Sequence, residues 1–367
     1  MKKSIRVLHT EWSDGWGGQE IRIINEMLAI REKGIEVFLA CRDHAKIKEK
    51  AQEHNIQTFI LPFNGSYDLQ TIWKLYKIIK KHHIDIINTH SGKDTWTGGL
   101  AAKLAHVKFI RTRHLSNRIN PSRLNFINEL ADFIFTTGES VKTAMIQNNR
   151  IKPEKILSIP TGIDERIFDP KKYDAVKERE ILGIEKDEIA IGIIAVLRKF
   201  KRHDLFIKAA KQLIKKHNNL KFFIAGDGPK NDELHQLVKT LNLENHIRFL
   251  GHVKEPAKIL AALDIFVLTS DSNEGVPQSV MQALLMHKKV IATNAGSTKD
   301  LYHENNFLLI KTNDLQAIIQ AIESLLKNPN QLNLQRNIII DHFSKNVMAK
   351  NIIEVYKQLC AEKAVPL

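Results

Sequence analysis

Short β-branched runs alternate with helix-forming stretches along this chain, and the alternation occurs twice. Strand, helix and parallel strand joined by a crossover make βαβ units, so the pattern restricts the fold to parallel sheets covered by helices. In the first half, strands are predicted at 5–10, 36–40, 58–61, 84–90, 108–113, 133–137 and 156–160. The clearest helix runs over 21–32 and is ended by Gly34. A polar, charged stretch at 169–187 then breaks the rhythm and reads as a linker between domains. Strands resume at 189–196, 221–225, 247–250, 265–268, 290–293 and 307–310, and a last helix is predicted over 344–362. The expectation is an α/β chain with two doubly wound, Rossmann-like domains facing a cleft. The first covers 1–168 and the second 188–343, with 344–367 packing back on the first.

With 367 residues, 43% apolar and 26% charged, either half can bury its own core. No apolar run reaches the roughly 18 residues of a membrane-spanning helix. Strand-like sequence from Ile5 leaves no room for a secretory leader. Cys41 and Cys360 lack metal-ligand spacing, so a reducing, cytoplasmic setting with inert thiols is expected. The +14 formal charge is spread evenly. Residues 1–170 hold 26 Lys and Arg against 19 Asp and Glu, and the remainder holds 29 against 22. This spread argues against a dedicated nucleic-acid module. It suits anionic substrates, attraction to an acidic membrane face, or simply a lysine-rich solvated surface.

Doubly wound sheets bind ligands beyond the carboxyl ends of their strands, which directs attention to the loops that follow strands. After the first strand come Trp12, Trp16, Gly17 and Gly18, then a helix. The two glycines allow a phosphate or sugar to approach a helix N-terminus, although glycines also serve as plain turn formers. Aromatic faces in such a loop suit sugar stacking, with core packing as the alternative. No G-x-G-x-x-G fingerprint is present, so a dinucleotide cofactor gains no support. His90 with Ser91, and Arg113 with His114 and the following Leu115 and Ser116, stand at later strand ends where site residues are expected. A structural histidine is the other reading for each.

In the second half, Arg198, Lys199, Lys201 and Arg202 place four cations within five residues directly after a strand. Guanidinium forks and ammonium point charges both suit phosphate oxygens, against the plain reading of a solvated basic loop. Gly226, Asp227, Gly228 and Pro229 form a turn. Farther on, Glu274, Gly275, Val276 and Pro277 read as a tight turn with Pro277 in the first turn of a helix. A carboxylate there lies beside unpaired backbone N–H groups. Cations from one loop and a carboxylate with amides from another suit a diphosphate carrying a sugar. The sequence has no Asp-x-Asp, so a metal bridge is unsupported, and neither a G-x-x-x-x-G-K-[ST] loop nor a G-x-S-x-G elbow occurs.

These residues resemble retaining glycosyltransferase family 4, of the glycosyltransferase-B fold, over essentially the whole chain. The resemblance rests on Gly17-Gly18, Thr89-His90-Ser91, Arg198 with Lys201, the Gly226-to-Pro229 turn and Glu274-Gly275-Val276-Pro277. It implies that Arg198 and Lys201 hold the donor diphosphate and stabilise the leaving group. Glu274 then contacts hydroxyls of the donor sugar, and the amides from Gly275 onward lie near the phosphates. His114 matches a histidine that contacts donor sugar or acceptor, and His90, Ser91 and Arg113 fall on the acceptor side. The family's second glutamate, after seven intervening residues, is Gln282 here, which puts the ribose contact in doubt. The loop from Asn294 to Asp300 also departs from the usual Gly-Gly start. Lys199 or Arg202 are alternative partners of Arg198, with Lys201 preferred.

The implied reaction moves a sugar from a nucleotide-diphosphate donor to a glycan or lipid-linked acceptor in cell-envelope polysaccharide or lipopolysaccharide synthesis. It retains configuration and uses neither cofactor nor metal. Two other readings stay open: a nucleotide-sugar epimerase on the same fold, and a binding protein with a decayed site, motivated by Gln282. The basic amphipathic stretch at 72–83 suits peripheral contact with an anionic membrane, at the inner face of the cytoplasmic membrane. An ordinary helix packed on the first sheet is the alternative.

Overall fold

The computed structural model describes residues 4–114, 123–272 and 274–361, with the side chains of 123–125 left aside. The predicted positions Leu115, Ser116 and Glu362 lie outside the described residues.

The chain divides into two compact units, and the division differs from the predicted one. The first unit comprises Met1–Gly162 with Lys345–Leu367, and the second Ile163–Ser344. Residues 169–187 are therefore not a linker. They carry a helix, Ala175–Ile181, whose N-cap Asp174 accepts from the amides of Val176 and Lys177. Just beyond it Leu182 and Ile184 enter the second unit's core, and Arg179 pairs with Asp264 at 2.9 Å. The polar surface of this segment concealed a buried inner side, which is why composition alone read it as a connector.

The first unit is built on seven strands: β1 Arg6–Glu11, β2 Glu36–Cys41, β3 Gln57–Ile60, β4 Ile86–Thr89, β5 Lys108–Arg113, β6 Phe133–Thr136 and β7 Ile156–Ser158. All pairings are parallel, in the order β3-β2-β1-β4-β5-β6-β7. Between them run α1 Gly18–Arg31, α2 Lys46–Glu53, α3 Leu69–His82, α4 Gly92–Ala105 and α5 Glu139–Asn149. Strands buried on both faces need continuous apolar runs, which explains why β2, and Ile189–Ile194 of the second unit, carry so little alternation. Cys41 ends β2 in this core, where burial pushes its thiol up to about 12, so it stays protonated.

The second unit opens with α6, the Ala175–Ile181 helix. It continues as β8 Ile189–Ile194, α7 His203–Leu213, β9 Leu220–Ala225, α8 Asn231–Thr240, β10 Ile247–Gly251 and α9 Pro256–Ala262. Then follow β11 Ile265–Leu268, α10 Gln278–Leu285, β12 Lys289–Thr293, β13 Leu308–Ile310, α11 Leu315–Lys327 and α12 Arg336–Phe343. Its six strands are also all parallel, in the order β10-β9-β8-β11-β12-β13. The final helix, α13 Lys345–Ala361, belongs to the first unit and packs on α1 through Met348, Ile352 and Tyr356.

In both units the strand order reverses beside the first strand, between β1 and β4 and again between β8 and β11. The diverging loops open a crevice at each switch point, beyond the strands' carboxyl ends. The loops carrying Gly17 and Gly18, His90, Arg198 and Lys201, and Glu274 follow these four strands.

The two readings of 72–83 describe opposite faces of α3. Thr71, Ile72, Leu75 and Ile79 are buried, and the helix packs on α4. Leu69 and Trp73 point to solvent, 77% and 56% exposed, in the company of exposed Lys74, Lys77, Lys80 and Lys81.

Candidate donor and acceptor sites

In the second unit the chain leaves β8 at Ile194 and turns past Gly226. A Cβ on Gly226 would lie 1.9 Å from the Ala195 carbonyl oxygen, and its φ of +145° suits glycine. The turn after β9 is thereby pressed against the backbone of 195–197, with Leu197 N–H donating to Asp227 O at 3.0 Å. This support carries the chain into the short 3-10 turn Lys199–Lys201, flanked by Arg198 and Arg202.

Four cations enter the turn, and their fates differ. Arg202, in the left-handed region at φ +51°, points its guanidinium at Asp204, with Nε to Oδ1 at 2.9 Å, and donates to Asn313. Lys201 reaches Glu274, Nζ to Oε1 at 2.5 Å, and its own carbonyl accepts from Thr269 Oγ1 at 2.8 Å. Arg198 and Lys199 are exposed, and no side-chain bond ties Arg198 to another described residue. Arg202 is thus held by Asp204 and Lys201 by Glu274, so both are fixed within the turn. A cavity of about 240 Å³ opens here, lined by Arg198, Lys199, Arg202, His203, Lys230 and Asp271 among others.

Glu274 is 6% exposed and accepts from Ser270 Oγ at 2.5 Å as well as from Lys201. Burying a carboxyl group without partners is costly, and here Lys201 and Ser270 both bond it. Its backbone is fixed by the loop after β12. A Cβ on Gly296, at φ +55°, would meet Glu274 O at 2.0 Å, and Ser297 N–H donates to that oxygen at 3.2 Å. Pro277 is the N-cap rather than a residue of the first turn, because α10 starts at Gln278. Gly275 and Val276 lead into that helix N-terminus, and Gln282 lies on its fifth position, half-buried.

In the first unit Gly17 is the N-cap of α1 and Gly18 its first residue, three positions earlier than predicted. The amide of Gly17 donates to the Glu20 carboxylate at 2.8 Å. Gly17 is extended, and a Cβ there would make only ordinary contact with Glu20, so internal packing does not demand glycine. Trp16 is 37% exposed. Trp12 has Lys93 Nζ 4.2 Å from its ring centroid and Arg42 Cζ 5.9 Å away, so cations already occupy the ring.

Glu11, buried at the end of β1, joins the loops around the switch point. It accepts from Ser91 Oγ and Gln19 Nε2, both at 2.5 Å, and from Ser13 N at 2.7 Å. Asp94 caps α4 by accepting the amides of His90 and Ser91 at 2.9 and 2.8 Å, and it also takes the Thr10 hydroxyl at 2.8 Å. Burial raises the pKa of both carboxyls, and the donors around them oppose that rise. His90 lies between two other histidines. Its Nε2 is 2.9 Å from His9 Nδ1, and its Nδ1 is 2.9 Å from His114 Nε2. Burial pushes His9 down to about 3 and holds His90 and His114 well below the usual imidazole range. Arg113 ends β5, and burial lowers its pKa too.

The structure therefore gathers Arg198, Lys201, Glu274, Gly275, Val276 and Pro277 at the second switch point, with Gly226 supporting the turn. It gathers Gly17, Gly18, His90 and Ser91 at the first, with His114 and Arg113 on the neighbouring strand end. Sequence reasoning missed Glu11, Gln19, Asp94, His9, Ser270 and Gly296. A signal existed for Glu11, Ser270 and Gly296, since all three lie within three residues of the end of a predicted strand. None existed for the partnership of His9, which lies within a strand.

Family models match the two units in succession: Glycosyltransferase Family 4 over residues 16–166, and Glycosyl transferases group 1 over residues 174–341. The chain belongs to the group 1 glycosyl transferases. This group 1 enzyme is 25% identical to UDP-Gal:alpha-D-GlcNAc-diphosphoundecaprenol alpha-1,3-galactosyltransferase of Escherichia coli, over 98% of both chains. Its fold matches a glycosyltransferase from Rickettsia africae with a TM-score of 0.89 at 22% identity, covering 97% of this chain and 98% of that one. It also matches HepE of Anabaena in complex with UDP, with a TM-score of 0.84 at 22% identity, over 96% and 100% of the two chains. The architecture is that of the glycosyltransferase-B fold.

His203 opens α7 and is buried, and burial lowers its pKa to about 4. The folded unit then stays neutral at this ring while the unfolded chain takes up a proton near the ordinary value of 6.5. Stability is therefore fully present above pH 6.5 and is lost as pH falls to about 4, by up to about 3 kcal/mol. Denaturant titrations of the wild type and His203→Gln between pH 4 and 7 should show a shallower decline in the variant. Parallel declines would remove His203 as a cause.

Proposed function

We propose that this glycosyltransferase moves a hexose from a uridine diphosphate sugar to a hydroxyl of a lipid-diphosphate-linked saccharide, with retention of configuration and without a metal ion. The observation that carries the proposal is the pairing of Lys201 with buried Glu274 beside the exposed Arg198, at the carboxyl ends of β8 and β11. The uridine nucleotide and the lipid-linked acceptor draw support from the bound UDP of the Anabaena protein and the substrate named for the Escherichia coli relative.

In the reaction the bond from the anomeric carbon to the diphosphate oxygen breaks, and negative charge builds on the departing phosphate. Arg198 offers a planar fork to those oxygens, and Lys201, already fixed by Glu274, offers a point charge. Cations held in place before the reaction need no reorganisation as the charge develops. Glu274 orients the sugar by accepting from its hydroxyls. The acceptor hydroxyl attacks the face that the diphosphate leaves, and its proton passes to a phosphate oxygen. No protein nucleophile takes part. Gln282 keeps a carbonyl acceptor for the ribose hydroxyls without the charge of a glutamate.

An acceptor on a lipid carrier brings the enzyme to a membrane surface, and no described helix is long and apolar enough to cross one. The outward face of α3 supplies a surface for peripheral contact. Trp73 stacks on Tyr76 with ring centroids 5.2 Å apart, and Lys77 Nζ lies 5.4 Å from the Trp73 ring centroid. Aromatic side chains among lysines suit the headgroup region of an anionic bilayer.

Arg198→Ala and Lys201→Ala should each lower turnover on the order of 10²-fold or more, with excess chelator changing neither wild type nor variants. Near-normal rates in both variants would remove the mechanism. Wild type should co-sediment with phosphatidylglycerol vesicles at low salt but not with phosphatidylcholine vesicles. The double substitution Trp73→Ser with Lys77→Glu should reduce the bound fraction severalfold, and unchanged binding would remove α3 as the contact.

A further inference from the structure

The three histidines of the first unit form a continuous hydrogen-bonded line that starts in the core and ends at the site. His9 is fully buried in β1, His90 follows β4 and is 3% exposed, and His114 follows β5 and is half-buried. The ring planes of His9 and His90 are 8° apart with centroids at 5.2 Å, so the rings meet edge to edge, and the centroids of His90 and His114 are 5.1 Å apart.

Each imidazole–imidazole contact needs one N–H and one bare nitrogen, so the tautomers of all three rings are linked. Two neutral arrangements satisfy both contacts. In the outward one, Nδ1–H of His9 donates to His90, and Nδ1–H of His90 donates to Nε2 of His114. That leaves the proton of His114 on Nδ1. In the inward one every proton lies on Nε2, and the line ends on His9 Nε2–H. His9 Nε2 is buried and has no hydrogen-bond partner among the described residues. The inward arrangement strands a donor there, while the outward one strands only a lone pair. Orphaned buried N–H groups are the rarer of the two, so the outward arrangement wins.

A protonated line is disfavoured on other grounds. The charged groups that act on His90 and His114 are the guanidiniums of Arg22, Arg111 and Arg113, all of the same sign. Asp94 accepts the backbone amide of His90 rather than its ring.

We propose that His9 and His90 are positioning residues that lock His114 as the neutral Nδ1–H tautomer. The ring is then a fixed hydrogen-bond donor to an oxygen of the substrate, and never a general base through Nδ1. This inference rests on the proposed function for the identity of the substrate oxygen, a hydroxyl of the sugar or acceptor. The tautomer itself follows from the histidine line alone. Sequence placed His90 and His114 at strand ends, but His9 contributes from inside a strand.

The test is long-range ¹H–¹⁵N NMR of the ligand-free, ¹⁵N-histidine-labelled full chain, with resonances assigned through single substitutions. Nδ1–H signals for His9, His90 and His114, unchanged between pH 5.5 and 8, are expected. An Nε2–H pattern at His114 overturns the proposal. The kinetic arm compares two amides, since an asparagine side-chain NH₂ stands near the place of Nδ1 and a glutamine NH₂ near that of Nε2. His114→Asn should exceed His114→Gln in kcat/KM by about tenfold, equivalent to one hydrogen bond of about 1.4 kcal/mol. Equal rates, or a reversed order, also overturn it. Should His9→Leu fold, His114 in that variant should show a mixture of tautomers, and an unchanged single tautomer would remove His9 from the line. If the wild type transfers no sugar at all, the proposed function fails while the spectrum still decides the tautomer.

Discussion

A carboxylate taken out of water has to be met by a cation and by donors, and the second unit is arranged around one such carboxylate. Glu274 lies buried at the end of β11, gripped through its side chain by Lys201 and Ser270 and through its backbone by the loop containing Gly296 and Ser297. Removing either partner leaves an uncompensated buried charge, so the pair ties two strand-end loops into one rigid element. Arg198 stands beside this element, its guanidinium bonded to no other described residue. A loop rich in cations would repel itself if left loose. Committing Arg202 to Asp204 and Lys201 to Glu274 relieves part of that repulsion and leaves Arg198 and Lys199 exposed.

The first unit meets the same topological opportunity with different chemistry. Its switch point is lined by neutral and hydrogen-bonded groups: the Glu11, Ser91 and Gln19 cluster, the Asp94 cap, and the line of histidines. Burial keeps the imidazoles uncharged, so they act as oriented dipoles rather than as ions. The division suits a transfer reaction in which charge develops on a diphosphate while the remaining contacts are to hydroxyls. Deeper in the same unit, Asn88 links Glu26 of α1 to the Tyr356 hydroxyl of α13 at 3.1 and 3.4 Å. The last helix is thereby fastened to the polar centre of the unit as well as to its apolar face.

The sheet-and-helix rhythm could be read from the chain because parallel strands buried on both faces leave continuous apolar runs, and β2 and β8 show this plainly. The loops carrying Arg198, Glu274 and His90 were legible for a related reason, since function in such folds follows the strand ends. The boundary at Gly162 was not legible. No change in composition marks it, and the charged exterior of α6 hid Leu182 and Ile184. Nor did spacing foretell how these cations are partnered, Arg202 by Asp204 and Asp271, one near and one remote in sequence, and Lys201 by Glu274. The partnership of His9 with His90 depends on strands that pair across the switch point, information that a single strand does not carry.

The central claim is that fixed cations, acting without a divalent ion, hold the terminal phosphate of the donor's nucleotide. Calorimetric titration of the full chain with UDP and with UMP, each in excess chelator, tests it most directly. The account predicts that UDP binds at least about tenfold more tightly than UMP, a difference of about 1.4 kcal/mol or more supplied by the second phosphate. Equal affinities for the two nucleotides, or loss of UDP binding when chelator is added, would contradict it.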